Sequence, residues 1–411
     1  MCGIVGYIGE QEASPILIDG LKKLEYRGYD SAGIAVYNGS CIDVMKTKGR
    51  LKDLEEKLEG RAVKGSVGIG HTRWATHGAP SDENSHPHAN GDETITVVHN
   101  GIIENYMELK EELIRNGYVF LSETDTEVAV HLIDYYYKGD PIDAVIQAMN
   151  KIEGSYALGV LFKDYPDQLI AVRKDSPLII GLGQGENYIA SDIPAILQYT
   201  RDVYFLEDGE IAVLTRGEVK IINKNKEEVN KEVFKVTWDV AAAEKGGYDH
   251  FMLKEIFEQA KVVKDTLMPR LPEDQDRVVL DDIKLSKKEL ENINKIYIVA
   301  CGTAYYAGIV GKYLLERIAR VPVVAEVASE FRYRDPVIDE NTLMIVLSQS
   351  GETADTLAAL RLAKQGGARV LAIVNVVGSS IAREADDILY TWAGPEIAVA
   401  STKAYSAQLT A

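Results

Sequence analysis

Cysteine is scarce in this chain: three residues in 411, at positions 2, 41 and 301. They lie far apart and form no CxxC pair, which argues against a zinc ribbon or a disulfide framework. A basic excess is also missing. Lys and Arg number 45 against 63 Asp and Glu, a formal charge of −18. Nucleic acid is therefore not an expected partner, because phosphate backbones are held by clustered cations. The negative charge reads as an aid to solubility. No apolar run reaches 18 residues, so no membrane span is expected. The start lacks a basic stretch followed by an apolar one, so no secretory leader is expected. What is there is an ordinary globular composition, 46% hydrophobic and 26% charged. The expectation is a cytoplasmic protein of two or three domains, since the length exceeds what one core organises.

The two halves follow different patterns. Short β-like runs at 2–8, 33–37, 67–72, 94–99, 156–162, 169–173, 203–206 and 210–214 crowd the first. Helical patterns interrupt them. Ser14-Pro15 reads as a cap with proline in the first turn, and Thr124 with Glu127 reads as a capping box opening a helix to about Tyr137. This predicts an α+β layered domain, with helices over stacked sheets. From about 295, strands alternate with helices. Ile296–Ala300, Val321–Val327, Thr342–Leu347 and Val370–Val374 read as strands. A helix carrying Ala354, Leu357, Ala358 and Leu362 on one face follows the third. That alternation predicts an α/β, doubly wound parallel sheet. The first domain is placed at 2–238, a linker at 239–250 and the second domain at 251–411.

Cys2 follows the initiator methionine. Removal of Met1 would give it a free α-amine, with an ordinary pKa of about 7.7–8.0. Such an amine can serve as the base for its own side chain, because the thiolate, not the thiol, is the nucleophile. The other reading is an incidental cysteine. Three further segments bear on the choice. In His71-Thr72-Arg73-Trp74-Ala75-Thr76-His77-Gly78, Arg73 reads as a carboxylate clamp or as a surface arginine. His99-Asn100-Gly101 reads as a tight turn or as an oxyanion hole. Asp125 reads as an acidic residue in a first helical turn or as the partner of a substrate ammonium.

Together these segments resemble one family. Cys2-Gly3-Ile4-Val5-Gly6, Arg27-Gly28-Tyr29-Asp30-Ser31-Ala32-Gly33, the His71–Gly78 stretch, His99-Asn100-Gly101 and Glu123-Thr124-Asp125-Thr126-Glu127 are similar to the class II glutamine amidotransferases. These are N-terminal nucleophile hydrolases, with an αββα sandwich. The resemblance covers residues 2 to about 238. It implies that Cys2 attacks the carboxamide of L-glutamine, while Asn100 and Gly101 hold the oxyanion. By it, Arg73 binds the α-carboxylate and Asp125 the α-ammonium. Trp74, Thr76 and His77 line and close the pocket.

In the second half, Ser348-Gln349-Ser350-Gly351-Glu352-Thr353 lies between a buried strand and a helix. Its hydroxyls and N–H groups suit a phosphate; a cluster of capping residues is the alternative. This segment resembles the sugar-isomerase fold, as do Cys301-Gly302-Thr303, Ala328–Arg334 and Val399–Ala404. Joined to the first half, it implies fructose 6-phosphate as the acceptor of ammonia and glucosamine 6-phosphate as the product. Thr303, Ser348, Gln349, Ser350 and Thr353 would hold the sugar phosphate, with Val399 beside the sugar. Ala304 stands where many relatives carry serine, which removes a hydroxyl. The resemblance also implies a second sugar-isomerase domain and tail carrying ring-opening and isomerising residues. These are not found before Ala411, so glutamine hydrolysis without aminosugar synthesis is expected of this length. A homodimer is implied for the full-length protein.

Other readings fare less well. A phosphoribosyl acceptor would need two acidic residues and a Gly-Thr-Thr loop, and Asp386-Asp387 is followed by Ile-Leu-Tyr. Gly378-Ser379-Ser380 lacks the Ser-Gly-Gly loop of an asparagine synthetase. No P-loop occurs, and no cofactor is implied. His86-Pro87-His88 with His77 has no nearby Cys or carboxylate to complete a metal set, so no metal is expected. A non-enzymatic sugar-phosphate-binding regulator remains the alternative from another class, and a retained Met1 would favour it.

Overall fold

The structure is a computed structural model. It describes residues 2–25, 28–59, 63–236, 245–272, 277–280 and 283–411. Arg27 of the second motif, Met1 and much of the expected linker lie outside the described residues. The chain divides into two compact units, 1–240 and 241–411.

The first unit stacks two antiparallel sheets. The eight-stranded sheet contains β1 (Gly3–Ile8), β2 (Ser31–Tyr37), β3 (Ile42–Lys48) and β4 (Val67–Arg73). The six-stranded sheet contains β5 (His88–Ala89), β6 (Ile95–Ile103), β7 (Gly154–Phe162) and β8 (Leu169–Lys174). β9 (Ile179–Leu182), β10 (Asn187–Ala190), β11 (Asp202–Phe205) and β14 (Phe234–Lys235) extend the larger sheet, and β12 (Ile211–Leu214) and β13 (Val219–Ile222) the smaller. The orders are β14-β11-β9-β10-β1-β4-β2-β3 and β13-β12-β8-β7-β6-β5. Helices α1 (Ala13–Lys22) and α2 (Leu51–Leu58) cover the outer face of the larger sheet. Helices α3 (Tyr106–Arg115), α4 (Asp125–Tyr136) and α5 (Pro141–Met149) cover the smaller.

The layering follows from side-chain alternation along each strand. Ile4 and Ile8 of β1, Val67 and Ile69 of β4, and Val98 of β6 point between the sheets. Val5 and Tyr7 meet α1 on the other side. Each fully buried aliphatic side chain contributes about 1.5–3 kcal/mol. The same alternation carries Cys2, His71, Arg73 and Asn100 onto the inter-sheet faces.

Local details differ from expectation at three places. Helix α1 begins at Ala13, after Glu12. Ser14 is therefore inside the first turn, where its hydroxyl donates to the Val63 carbonyl at 2.7 Å. The His99-Asn100-Gly101 segment is not a turn; it is paired strand within β6, with Asn100 opposite Ala157. Only half of the capping box forms. Thr124 accepts from the Glu127 N–H, but the Glu127 carboxylate reaches further back. It accepts from the N–H groups of Leu121 and Ser122, both at 2.7 Å, and from the Ser122 hydroxyl at 2.6 Å.

Those contacts carry a pH-dependent part of the stability. Burial alone would raise the Glu127 carboxyl; the nearby His131 ring, with Nε2 3.6 Å from the carboxylate, and the hydrogen bonds from Leu121 and Ser122 overcome it and hold it below its ordinary value. The stabilisation is therefore complete above about 4.5, the ordinary glutamate value. It is lost as pH falls through the lower folded value. Glu127→Gln is expected to cost about 2–3 kcal/mol at neutral pH in urea unfolding. The gap should narrow as pH drops below the ordinary value; a gap that does not change with pH would contradict this.

The second unit holds a parallel sheet of five strands: β15 (Lys295–Ala300), β16 (Val323–Val327), β17 (Thr342–Ser348), β18 (Arg369–Val374) and β19 (Asp387–Tyr390). The order is β16-β15-β17-β18-β19. Helix α6 (Phe251–Leu267) precedes this sheet, and the short α7 (Lys287–Asn292) leads into it. Helix α8 (Gly302–Ile318) packs on one face, where Tyr405 of α12 (Lys403–Thr410) joins it. Helices α9 (Ala328–Tyr333), α10 (Ala354–Gln365) and α11 (Ser380–Glu384) pack on the other. The buried face of α10 is Thr356, Leu357, Ala359, Leu360 and Ala363. It is rotated from the expected one: Ala354 opens the helix and is exposed.

Candidate active site

Cys2 stands at the start of β1, where Gly3 pairs with Thr72 of β4. Its Sγ accepts from the Trp74 N–H at 3.2 Å. The neighbouring sheet supplies Asn100, whose Nδ2 donates to the Cys2 carbonyl at 3.0 Å. Next to it, Gly101 has φ +133°. A Cβ there would lie 2.0 Å from the Ser155 carbonyl oxygen, so only glycine allows the strand to turn its backbone at this point.

Asp125 is the first residue of α4 and is 4% exposed. It is in a first helical turn and is also buried close enough to Cys2 to act on its thiol electrostatically. One carboxylate oxygen accepts from the Ile103 N–H at 2.9 Å. Arg73 is 3% exposed, so it is not a surface arginine. Its Nη2 donates to the carbonyls of His77 and Gly78, which fixes the turn after β4. Its Nη1 is buried with no hydrogen-bond partner among the described residues. That is a guanidinium N–H left available for a ligand, since such groups rarely stay unmade.

Charge links these groups. Burial pushes the Cys2 thiol above its ordinary value, while the Trp74 N–H and Arg73 pull it down and Asp125 pushes it up. The resting group is thus a thiol that needs a base. Burial also works against the Arg73 charge, and Cys2, Asp125 and Asp30 work for it.

The loop residues are less engaged. Trp74 is 40% exposed and meets the Tyr29 ring edge-on at 5.4 Å. Thr76 is exposed, with its hydroxyl 3.3 Å from His77 Nδ1. The His77 ring rests edge-on against Tyr106. His86 and His88 turn inward instead: His86 stacks on His71 at 4.2 Å, and His88 Nε2 is 3.0 Å from the Thr124 hydroxyl. Among the described residues, no group of three His, Cys, Asp or Glu is placed to hold a metal ion.

Sequence reasoning gave no role to two residues that shape this site. The Asp30 carboxylate accepts from the Ala75 N–H at 2.9 Å and steadies the loop. His71 Nε2 lies 2.9 Å from Asn100 Oδ1. The signal for His71 was available: a polar residue on the inward-facing alternation of an apolar strand.

In the second unit, chain order reverses between β15 and β17, which is where open α/β sheets bind ligands beyond their carboxyl ends. Cys301-Gly302-Thr303 follows β15 and the 348–353 loop follows β17. Ser348 and Thr353 hydroxyls are 3.0 Å apart, and Ser348 Oγ accepts from the Gly351 N–H at 3.0 Å. Thr353 occupies the cap position of α10 but makes no capping bond with its side chain. Capping therefore does not account for its hydroxyl. Ser350 Oγ accepts from the Glu352 N–H, and Gln349 is partly buried. Gly351 has φ +65°, and a Cβ would lie 1.9 Å from Ser379 Oγ. Thr303 is exposed at the start of α8. Ala304 is 7% exposed in the core beneath α8. Val399 is 65% exposed, on a loop fastened by Glu255 through the Ile397 and Ala398 N–H groups and by Glu396 through that of Thr402.

Two family models match the chain. One, described as a glutamine amidotransferase domain, matches residues 71–198; the other, a SIS domain, matches 289–411. The glutamine–fructose-6-phosphate aminotransferase (isomerizing) of Clostridium tetani is 65% identical over 411 residues, covering 100% of this chain and 67% of its own length. That of Clostridium acetobutylicum is 64% identical over 409 residues, with the same coverage. The glutamine phosphoribosylpyrophosphate amidotransferase of B. subtilis, complexed with ADP and GMP, is alike in fold: 18% identical, TM-score 0.51, covering 95% of this chain and 91% of that one. The first unit is thus the αββα sandwich of the N-terminal nucleophile hydrolases and the second the doubly wound sheet of the sugar isomerases. On full-chain identity at this level, the chain belongs to the glutamine–fructose-6-phosphate aminotransferases (isomerizing).

Proposed function

We propose that the first unit hydrolyses L-glutamine with Cys2 as nucleophile, once Met1 is removed. The observation that carries the reading is the convergence of Cys2 Sγ, the Asn100 amide, the unpartnered Arg73 Nη1 and buried Asp125 at one end of the sandwich. The α-amine of Cys2 takes the thiol proton, directly or through water. Sulfur attacks the carboxamide carbon, and the oxyanion meets the Asn100 Nδ2–H and the Gly101 N–H. Collapse releases ammonia and leaves a thioester, which water hydrolyses to glutamate. Arg73 holds the α-carboxylate and Asp125 the α-ammonium. Trp74, Thr76 and His77 cover the pocket.

The second unit binds fructose 6-phosphate in this reading. Thr303, Ser348, Gln349, Ser350 and Thr353 hold the phosphate and Val399 borders the sugar; glucosamine 6-phosphate is the product of the full-length enzyme, and this length of chain hydrolyses glutamine without completing that synthesis. The chain spans 67% of the length of its curated relatives. A cytoplasmic location, no nucleic-acid or membrane partner, and a homodimer of the full-length protein fit the same reading. Among the described residues no helix is long and apolar enough to cross a membrane.

Alkylation tests the glutaminase assignment. Iodoacetamide should label the peptide beginning at Cys2, lacking Met1, and hydrolysis should fall in step with that label. Glutamine should slow the labelling. Loss of activity that tracks Cys41 or Cys301 instead would refute the assignment.

A further inference from the structure

We propose that His71 is a positioning residue for the glutaminase reaction, fixing which end of the Asn100 amide faces Cys2. The inference rests on the Cys2 and Asn100 roles given above. It concerns a histidine whose hydrogen bonds run to His99 and Asn100 and not to Cys2.

His71 Nε2 is 3.0 Å from the His99 carbonyl oxygen and 2.9 Å from Asn100 Oδ1. A carbonyl oxygen only accepts. Nε2 must therefore carry the proton, or its lone pair would face two oxygens. The opposite tautomer would also bury an Nδ1–H with no acceptor among the described residues, where Nδ1 is buried and unpartnered. Unmade buried donors are costly. Burial pushes the His71 pKa down to about 3, so the ring is neutral and donates from Nε2 alone. His86, stacked on it with ring centroids 4.2 Å apart, holds the plane.

The consequence falls on Asn100. With Nε2–H fixed as a donor, the amide oxygen must face His71. The amide nitrogen then faces the Cys2 carbonyl, to which it donates at 3.0 Å. A flipped amide would set NH₂ against Nε2–H and oxygen against oxygen. One N–H of the amide is spent on the residue that carries the sulfur. The other is left for the oxyanion, held by a group that needs no reorientation during the reaction. An asparagine fixed only from the Cys2 side would rotate more freely.

The test pairs His71→Leu with His71→Gln, whose amide nitrogen reaches about as far as Nε2. His71→Leu is expected to lower kcat for glutamine hydrolysis about tenfold, leaving KM for glutamine unchanged. His71→Gln should recover most of the loss. Alkylation of Cys2 by iodoacetamide develops no oxyanion, so its rate should not change in either variant. Asn100→Ala combined with His71→Leu should be no slower than Asn100→Ala alone. Full kcat in His71→Leu, multiplying losses in the double variant, or alkylation and KM shifting together with kcat would each overturn the proposal. His71→Met carries the same comparison if His71→Leu does not fold. Cys2→Ala distinguishes the two levels. Hydrolysis surviving Cys2→Ala removes the underlying reading, whereas a Cys2-dependent enzyme indifferent to His71 removes only the positioning role.

Discussion

Cys2→Ala is expected to bring glutamine hydrolysis down to background, a loss of about 10⁵-fold or more by comparison with other deleted nucleophiles. No other cysteine replaces it. Cys41 belongs to a local network with Asn38 and Asp43, and Cys301 lies in the second unit, with the Thr356 hydroxyl donating to its sulfur at 3.8 Å. Glutamine binding should persist, because Arg73 and Asp125 are untouched and neither depends on the sulfur for its place. Arg73 is anchored by the His77 and Gly78 carbonyls and Asp125 by the Ile103 N–H. Ammonia release and calorimetric titration with glutamine separate the two. An alanine variant that still turns over would show that the sulfur is not the nucleophile. A variant that neither binds nor reacts would show that the ligand anchors were wrongly assigned.

Asn100→Ala should lower kcat by roughly 10²–10³, the cost of one oxyanion donor of this type. The Michaelis constant should move little, because the donor meets charge that exists only in the transition state. Asn100→Asp sharpens the point. It keeps an oxygen for His71 but sets a second oxygen, rather than an N–H, 3.0 Å from the Cys2 carbonyl. It should therefore be at least as damaging as alanine while preserving size. A variant of Asn100 that raises KM and spares kcat would place this side chain on the ground-state ligand and not on the oxyanion.

These predictions depend on features that differ in how openly the sequence displays them. Layering was readable because alternation is a local property. Ile4, Ile69 and Val98 alternate with residues facing the helices, and a strand has only two faces. The switch to a parallel sheet near 295 was readable for the same reason: apolar runs too short for helices recur between helical stretches. The motif residues were readable as a set, since Cys2, Arg73, Asn100 and Asp125 matched one family together, even where each was ambiguous alone.

Helix ends were less legible. Ser14-Pro15 was a sound local signal, yet α1 starts at Ala13 because the Ser14 hydroxyl is taken by the Val63 carbonyl, 49 residues away. Glu127 likewise left its local capping role for the N–H groups of Leu121 and Ser122. Asn100-Gly101 has the composition of a tight turn. Strand pairing with Ala157 and Tyr156 overrode it, and glycine served a positive φ inside a strand.

Cys2 as the candidate nucleophile, an α+β layered first domain and a doubly wound second one were legible in the sequence alone, and the resemblance carried by its motifs implied the αββα sandwich and the glutamine and sugar-phosphate sites. Strand and helix patterns depend on residue type, spacing and periodicity, which are written along the chain. Tertiary structure alone decided that Arg73 is buried with an N–H unpartnered among the described residues, that Thr353 does not cap its helix with its side chain, and that His71 Nε2 lies 2.9 Å from Asn100 Oδ1. Each of these is a relation between atoms from distant positions, and hydrogen-bond partners at 3 Å are set by how sheets and loops pack, not by neighbours in sequence.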